Sequence, residues 1–64
     1  MKCRIYKIKM GQKEGILLTE IEINSELQVM KPGDKLDIGE VTYEVQEKRF
    51  RLEDGELILI YNVY

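Results

Sequence analysis

Apolar and polar residues alternate along most of this chain with a period of two, which is typical of β-strands that have one buried and one solvated face. Glycine, proline or polar residues separate the alternating segments, and no segment has the spacing of a convincing amphipathic helix. The pattern predicts five short strands, at about residues 2–10, 16–23, 35–38, 41–52 and 57–64.

Three residue pairs between these segments have the composition of tight turns. Pro32-Gly33 fits a type II turn, because proline presets φ at the second position and glycine accepts a positive φ at the third. Gly39-Glu40 fits a type II′ hairpin turn, and Asp54-Gly55 fits a two-residue type I′ turn. The last turn aligns two apolar pairs across its hairpin, Leu52 with Leu57 and Phe50 with Leu59.

The apolar positions change parity within two of the predicted strands, and each change indicates a β-bulge or a sharp bend. In the first strand the change falls near Tyr6-Lys7, and in the fourth strand it falls between Val45 and Phe50. Small barrels use such bends to curl their sheets. Residues 24–26 interrupt the alternation, and Leu27 and Val29 resume it, which predicts a bend followed by a short extended segment. The alternative is a one-turn helix over Ser25–Val29.

Charge is distributed unevenly between the first two strands. Residues 1–13 carry five basic groups and no acid, whereas residues 14–64 carry twelve acids and five bases. A hairpin closed by the loop at residues 11–15 pairs the basic strand with an acidic one, as cross-strand charge pairing favours. We expect three pairs in this hairpin: Ile5 opposite Ile21, Cys3 opposite Ile23, and Arg4 opposite Glu22.

These features predict an all-β fold, with one domain over residues 1–64 that forms a five-stranded antiparallel barrel or a strongly curled sheet. The segment from Pro32 to Val45 resembles the Pro-x-Gly-Asp and Gly-x-x-Tyr-x-Val pattern of SH3-like small barrels. It is also similar to the same hairpin in short uncharacterised β-proteins of Gram-positive bacteria and their mobile elements. The resemblance covers about a quarter of the chain.

The SH3-like resemblance implies a meander of strands three to five, on a scaffold that such families use to bind proteins, peptides or RNA. It implies no catalytic residue. The oligonucleotide-binding (OB-like) barrel and the pseudouridine-synthase-associated RNA-binding barrel are the alternative architectures, although this chain is short for the second.

The composition argues against catalysis and against a bound cofactor or metal. The chain has no histidine, which removes the usual general base and the commonest metal ligand, and it has one serine and one cysteine. Cys3 shares its parity with Ile5, so we expect a buried thiol and no disulfide. Neither a signal peptide nor a run of roughly 20 apolar residues is visible, which predicts a cytoplasmic protein that does not enter a membrane.

The last predicted strand is apolar on both faces, and it provides the first candidate for an interaction surface. Ile58 and Ile60 lie opposite Arg51 and Arg49, where they form either an exposed apolar stripe or a stripe that the rest of the fold covers. An exposed stripe marks a protein partner surface or a homodimer interface. The predicted interaction surface consists of Lys48, Arg49, Arg51, Ile58, Ile60 and Tyr64.

The alternative function is binding of single-stranded nucleic acid by a surface of basic and aromatic residues. Its candidate residues are Lys48, Arg49, Arg51, Tyr43, Phe50, Tyr61 and Tyr64. The net charge of −2 and the expected pairing of the basic first strand with acids argue against this alternative. The distinction depends on whether the basic residues pair with carboxylates on the folded surface.

Overall fold

The computed structural model describes residues 1–9, 15–23 and 30–64. Five strands form one sheet in the order β2-β1-β5-β4-β3: β1 (Lys2–Lys7), β2 (Ile16–Glu22), β3 (Lys35–Ile38), β4 (Val41–Glu53) and β5 (Glu56–Val63). The sheet is strongly curled into a half-barrel, and the described residues include no helix. The prediction of an all-β, strongly curled sheet is therefore confirmed. Of the predicted loop at residues 11–15, residues 11–14 lie outside the described residues, and so does the predicted bend or one-turn helix within residues 24–29.

The sheet is mixed, so the prediction of a purely antiparallel arrangement is wrong at one pairing. β1 lies parallel to β5, from Lys2 beside Ile58 to Lys7 beside Val63, while the other three pairings are antiparallel. Parallel neighbours cannot be joined by a tight turn and need a long connection. Here the whole chain between β1 and β5 serves as that connection. Turn signals in the sequence are local, so they do not reveal that β1 and β5 are neighbours.

The β1–β2 hairpin pairs the basic strand with the acidic one, in a register two residues away from the predicted one. Cys3 lies opposite Ile21 and Arg4 opposite Glu20, whereas the prediction placed Ile23 and Glu22 at these positions. The register shifts between Ile5 and Tyr6, which confirms an irregularity close to the predicted one. The shift adds a residue on β2, and the parity of the apolar positions alone does not fix that offset.

Strands β3, β4 and β5 form the expected antiparallel meander, and all three turns have the predicted backbone. The φ angles are positive at Gly33, Gly39, Asp54 and Gly55, and the Asp34 amide donates to the Lys31 carbonyl over 3.0 Å across the Pro-Gly turn. The register of β4 against β5 shifts between Val45 and Glu47, which confirms the second predicted bulge. Local sequence signals therefore define this half of the fold.

The core lies on one face of the curled sheet. Its fully buried members come from the three central strands: Cys3, Ile5, Val45, Leu59, Tyr61 and Val63. Side chains from both edge strands pack against it, including Ile21 from β2 and Leu36 from β3. Burial raises the pKa of the Cys3 thiol and is the main cause that raises the pKa of the Tyr61 hydroxyl, and Cys3 is confirmed as a core residue.

The half-barrel is not closed, and β4 is longer than the strand that covers it. β3 pairs with residues 41–44 of β4 only, while β5 continues beside β4 up to Glu53. In the described part of the chain, β4 contacts no strand other than β3 and β5. No described strand pairs with residues 49–53 of β4 on the side directed away from β5, and we call this side of the segment the β4 open edge.

Candidate interaction surface

Strand β5 is buried on both faces, so the apolar stripe predicted from the sequence is covered. Leu59, Tyr61 and Val63 belong to the core, while Ile58 and Ile60 lie on the opposite, outer face and are only 2% and 0% exposed. The sequence allowed an exposed stripe or a covered one, and the structure has the covered one. Ile58 and Ile60 are therefore structural residues and do not form an accessible contact surface.

Long cationic side chains flank this outer apolar stripe on both sides. Lys2 of β1 and Arg51 of β4 lie beside Ile58, and Arg4 and Arg49 lie beside Ile60. Lysine and arginine can bury their aliphatic stems on apolar surface while their charged ends stay in water. Among the described residues, these four are the sheet neighbours placed to shield the stripe.

Arg4 forms ion pairs with carboxylates on two other strands. Its Nε donates to Glu20 over 2.8 Å, and its two terminal nitrogens donate to the Glu53 carboxylate over 3.1 and 3.3 Å. Since Arg4 is on β1 and Glu53 on β4, the bidentate pair passes over β5, which lies between them. These bonds raise the pKa of Arg4 and hold the pKa of the Glu53 carboxyl below its usual range. Arg4 thus fastens three strands to one another across the outer face.

Arg49 and Arg51 are exposed on the same outer face, and neither forms an ion pair with a described carboxylate. They are not part of a continuous basic patch, because acidic side chains share this face. The strand registers place Glu20 in one row with Arg4 and Arg49, and Glu22 in one row with Lys2 and Arg51. The outer face is therefore mixed in charge, which disfavours a polyanionic ligand.

The core face of the β4–β5 hairpin carries an exposed apolar cluster near its turn. Phe50, Leu52 and Leu57 are 55%, 73% and 44% exposed, and the neighbouring Met1 is 46% exposed. We call these four residues the hairpin-end patch. The predicted cross-strand pairs Phe50–Leu59 and Leu52–Leu57 are confirmed. Of the residues in these two pairs, only Leu59 is buried. The predicted register of this hairpin is correct, while the exposure of its side chains depends on how far the other strands extend.

The other residues predicted for the interaction surface or for nucleic-acid binding lie in different parts of the fold. Lys48 lies opposite Tyr61 on the core face and is half-buried, while Tyr61 is fully buried and Tyr43 packs against the core. Tyr64 is exposed, and its hydroxyl donates to Glu44 over 2.7 Å, which lowers the pKa of that carboxyl. The basic and aromatic residues proposed for nucleic acid are therefore not brought together on one surface.

Lys35 also pairs with a carboxylate, that of Glu44, over 3.4 Å. No group of three or more acidic or cysteine side chains with the arrangement of a metal site occurs among residues 1–9, 15–23 and 30–64. Nor do these residues contain a helix long and apolar enough to cross a bilayer.

Comparisons with protein-family models, with curated proteins and with solved structures found no match to this chain.

Proposed function

We propose that this chain is a non-enzymatic protein-interaction module that binds through the hairpin-end patch. The observation that supports this function is the exposure of Phe50, Leu52 and Leu57 together on the face that elsewhere forms the core. Contiguous exposed apolar side chains on a small soluble domain mark an interaction site or an aggregation-prone surface. A module of this kind acts in the cytoplasm, where the single thiol of Cys3 stays reduced.

The open edge of β4 gives the patch a second means of binding. Phe50 and Leu52 lie in the part of β4 that no described strand pairs with on the side directed away from β5. An uncovered edge offers backbone donors and acceptors to an added strand, and side chains on alternate positions then supply the specificity. A protein partner can therefore satisfy the backbone of β4 and bury the patch in the same contact.

Site-specific photo-crosslinking in cells tests this function. A photoreactive phenylalanine analogue replaces Phe50 in one variant and Val41 in the other, because Val41 is an apolar residue of similar exposure, 51%, on the other hairpin of the same strand. We expect protein adducts from position 50 and few or none from position 41. Equal labelling at both positions, or no protein adduct at position 50, would contradict the function.

Binding of single-stranded nucleic acid is the alternative, and the exposed pair Arg49 and Arg51 is the feature that favours it. The intervening Phe50 points to the other face, so it does not provide the two arginines with an aromatic platform for stacking a base. Filter binding of short RNA and DNA at several salt concentrations tests this alternative. Retention that weakens as salt rises, and that Arg49→Gln with Arg51→Gln abolishes, would favour it over protein binding.

A further inference from the structure

We propose that the partner of the hairpin-end patch is a second copy of this chain, paired antiparallel along the β4 open edge about a two-fold axis at Arg51. The inference rests on the proposed function and names its partner. It follows from the backbone geometry of β4, from the charge sequence along its open edge and from the position of the exposed apolar residues.

The backbone of β4 presents alternate residues to the open edge. Glu53 and Glu56 flank the two-residue turn and face each other as a hydrogen-bonded pair, so along β4 every second residue bonds to β5. The residues between them direct their amide and carbonyl groups away from β5. In the open segment these outward-facing residues include Phe50 and Leu52. The same two residues thus carry backbone groups that no described strand pairs and exposed apolar side chains.

In a symmetric antiparallel pair of β4 strands, the register is defined by the residue through which the two-fold axis passes. An axis at Arg51 places Arg49 opposite Glu53 of the partner subunit, and this attractive pair occurs twice. An axis at Phe50 instead places Arg49 opposite the partner's Arg51, and Glu47 opposite the partner's Glu53. Both of these pairs have like charges, which disfavours that register.

The register at Arg51 also joins the apolar residues of both copies. Phe50 lies opposite the partner's Leu52 on the core face, again twice, so the two patches merge into one apolar strip. An axis at Arg49 would place Phe50 opposite the partner's Lys48 and lose this contact. In the register at Arg51, the one like-charged pair is Arg51 with its own copy, and these side chains extend into solvent.

Glu53 has access to a second guanidinium in this arrangement. Its carboxylate already accepts two bonds from Arg4, yet its side chain remains 40% exposed. A carboxylate has about four lone-pair sites, so the bidentate bond from Arg4 leaves capacity for Arg49 of the partner subunit.

Cross-linking through one introduced cysteine tests the register. In Arg51→Cys the two introduced thiols face each other at the axis, in a non-hydrogen-bonded pair whose Cα atoms lie about 4.5 Å apart, within the range of a disulfide. In Arg49→Cys the two thiols are offset by four residues, about 13 Å along the strands, which is too far. The native thiol of Cys3 is buried, so the wild-type chain serves as the blank.

Under mild oxidation we expect Arg51→Cys to form a disulfide-linked dimer at least about tenfold faster than Arg49→Cys or wild type, because pairing raises the effective thiol concentration. Faster cross-linking of Arg49→Cys, or equal rates for both variants, would overturn the register. Sedimentation equilibrium of the wild-type chain completes the test. A monomer at every concentration up to the millimolar range would overturn the self-association altogether.

Failure of this inference is distinguishable from failure of the proposed function. Photo-crosslinking from position 50 to a different protein, combined with a monomer in sedimentation, would retain the interaction module and reject the second copy. Adducts between two copies of the chain would support both proposals. Absence of protein adducts at position 50 would reject the module itself.

Discussion

Ile60 and Leu52 have apolar side chains of equal size in one hairpin, yet their surroundings differ completely. Ile60 lies between Arg4 and Arg49 on the outer face and is 0% exposed, whereas Leu52 lies near the turn on the core face and is 73% exposed. The contribution of each residue to stability should follow its burial, because it depends on the apolar area removed from water.

Replacing each residue by alanine tests this difference. Ile60→Ala should lower the free energy of unfolding by about 2–4 kcal/mol, since it removes buried methyl groups and leaves a cavity. Leu52→Ala should change it by no more than about 0.5 kcal/mol, as is usual for an exposed site. Urea denaturation followed by circular dichroism, at a concentration where the chain is monomeric, measures both values. A similar cost for the two substitutions would contradict the burial assigned to Ile60.

The Arg4–Glu53 bond predicts how stability depends on acid. The pKa of Glu53 is lowered in the folded chain from an ordinary value of 4.5, mainly by its hydrogen bond from Arg4. The unfolded chain therefore takes up this proton first, and the stabilisation present above pH 4.5 is lost as the pH falls through the lower, folded value.

Arg4→Gln should flatten this acid-induced loss of stability, because it removes the largest cause of the lowered pKa. Arg49→Gln is the matched control at a concentration where the chain is monomeric, since within one chain Arg49 is an arginine on the same face without a described carboxylate partner. Urea midpoints measured between pH 7 and pH 3 compare the slopes. An unchanged slope in Arg4→Gln, or an equal effect of both substitutions, would show that the bond does not control the titration.

At the scale of the elements, local chemistry predicts the meander well and the first hairpin only in part. The turns at Pro32-Gly33 and Asp54-Gly55 require residues that tolerate particular φ values, so their sequences define both position and type. The β1–β2 register depends on a loop outside the described residues and on a bulge whose extra residue lies on β2. Apolar parity predicts that a bulge exists, but it does not specify which strand carries the added residue.

The two central residues of the last turn test the assigned turn type. Asp54 and Gly55 have φ angles of 50° and 77°, as a type I′ turn requires. Gly55→Ala and Asp54→Val should each cost about 1–2 kcal/mol, because side chains with a Cβ disfavour this conformation and β-branched ones disfavour it most. Asp54→Asn should be nearly neutral and serves as the control. Thermal unfolding of the three variants measures these differences, and a neutral Asp54→Val would contradict a type I′ turn.

At the scale of the whole molecule, the open half-barrel links the fold to its proposed function. Ile58 and Ile60, which the sequence offered as contact residues, are buried in the fold. The hairpin-end patch is exposed because β3 is short and because β1 lies beside β5 and not beside β4. These are long-range features, because they depend on which strands become neighbours. Sequence alternation predicts the faces of a strand but not which face remains uncovered.

A lysine on the open edge should separate association from folding. Leu52→Lys should abolish concentration-dependent association, because it places a charge within the patch and on the β4 open edge, where lysine discourages strand pairing. Its free energy of unfolding as a monomer should stay within about 0.5 kcal/mol of wild type. Val41→Lys, at an exposed apolar site outside the patch, is the matched control. Sedimentation equilibrium measures association, and equal dimerisation of the two variants would exclude the patch.

The parallel pairing of β1 with β5 also gives the molecule a mechanical property. Met1 precedes one of these strands and Tyr64 follows the other, so tension applied between the two ends pulls the neighbouring strands in opposite directions along their length. The hydrogen bonds that residues 2–7 form with β5 would then be loaded in shear all at once and would not break one after another. We expect single-molecule pulling through residues 1 and 64 to require a higher rupture force than pulling through residues 41 and 64, which peels β4 from β5.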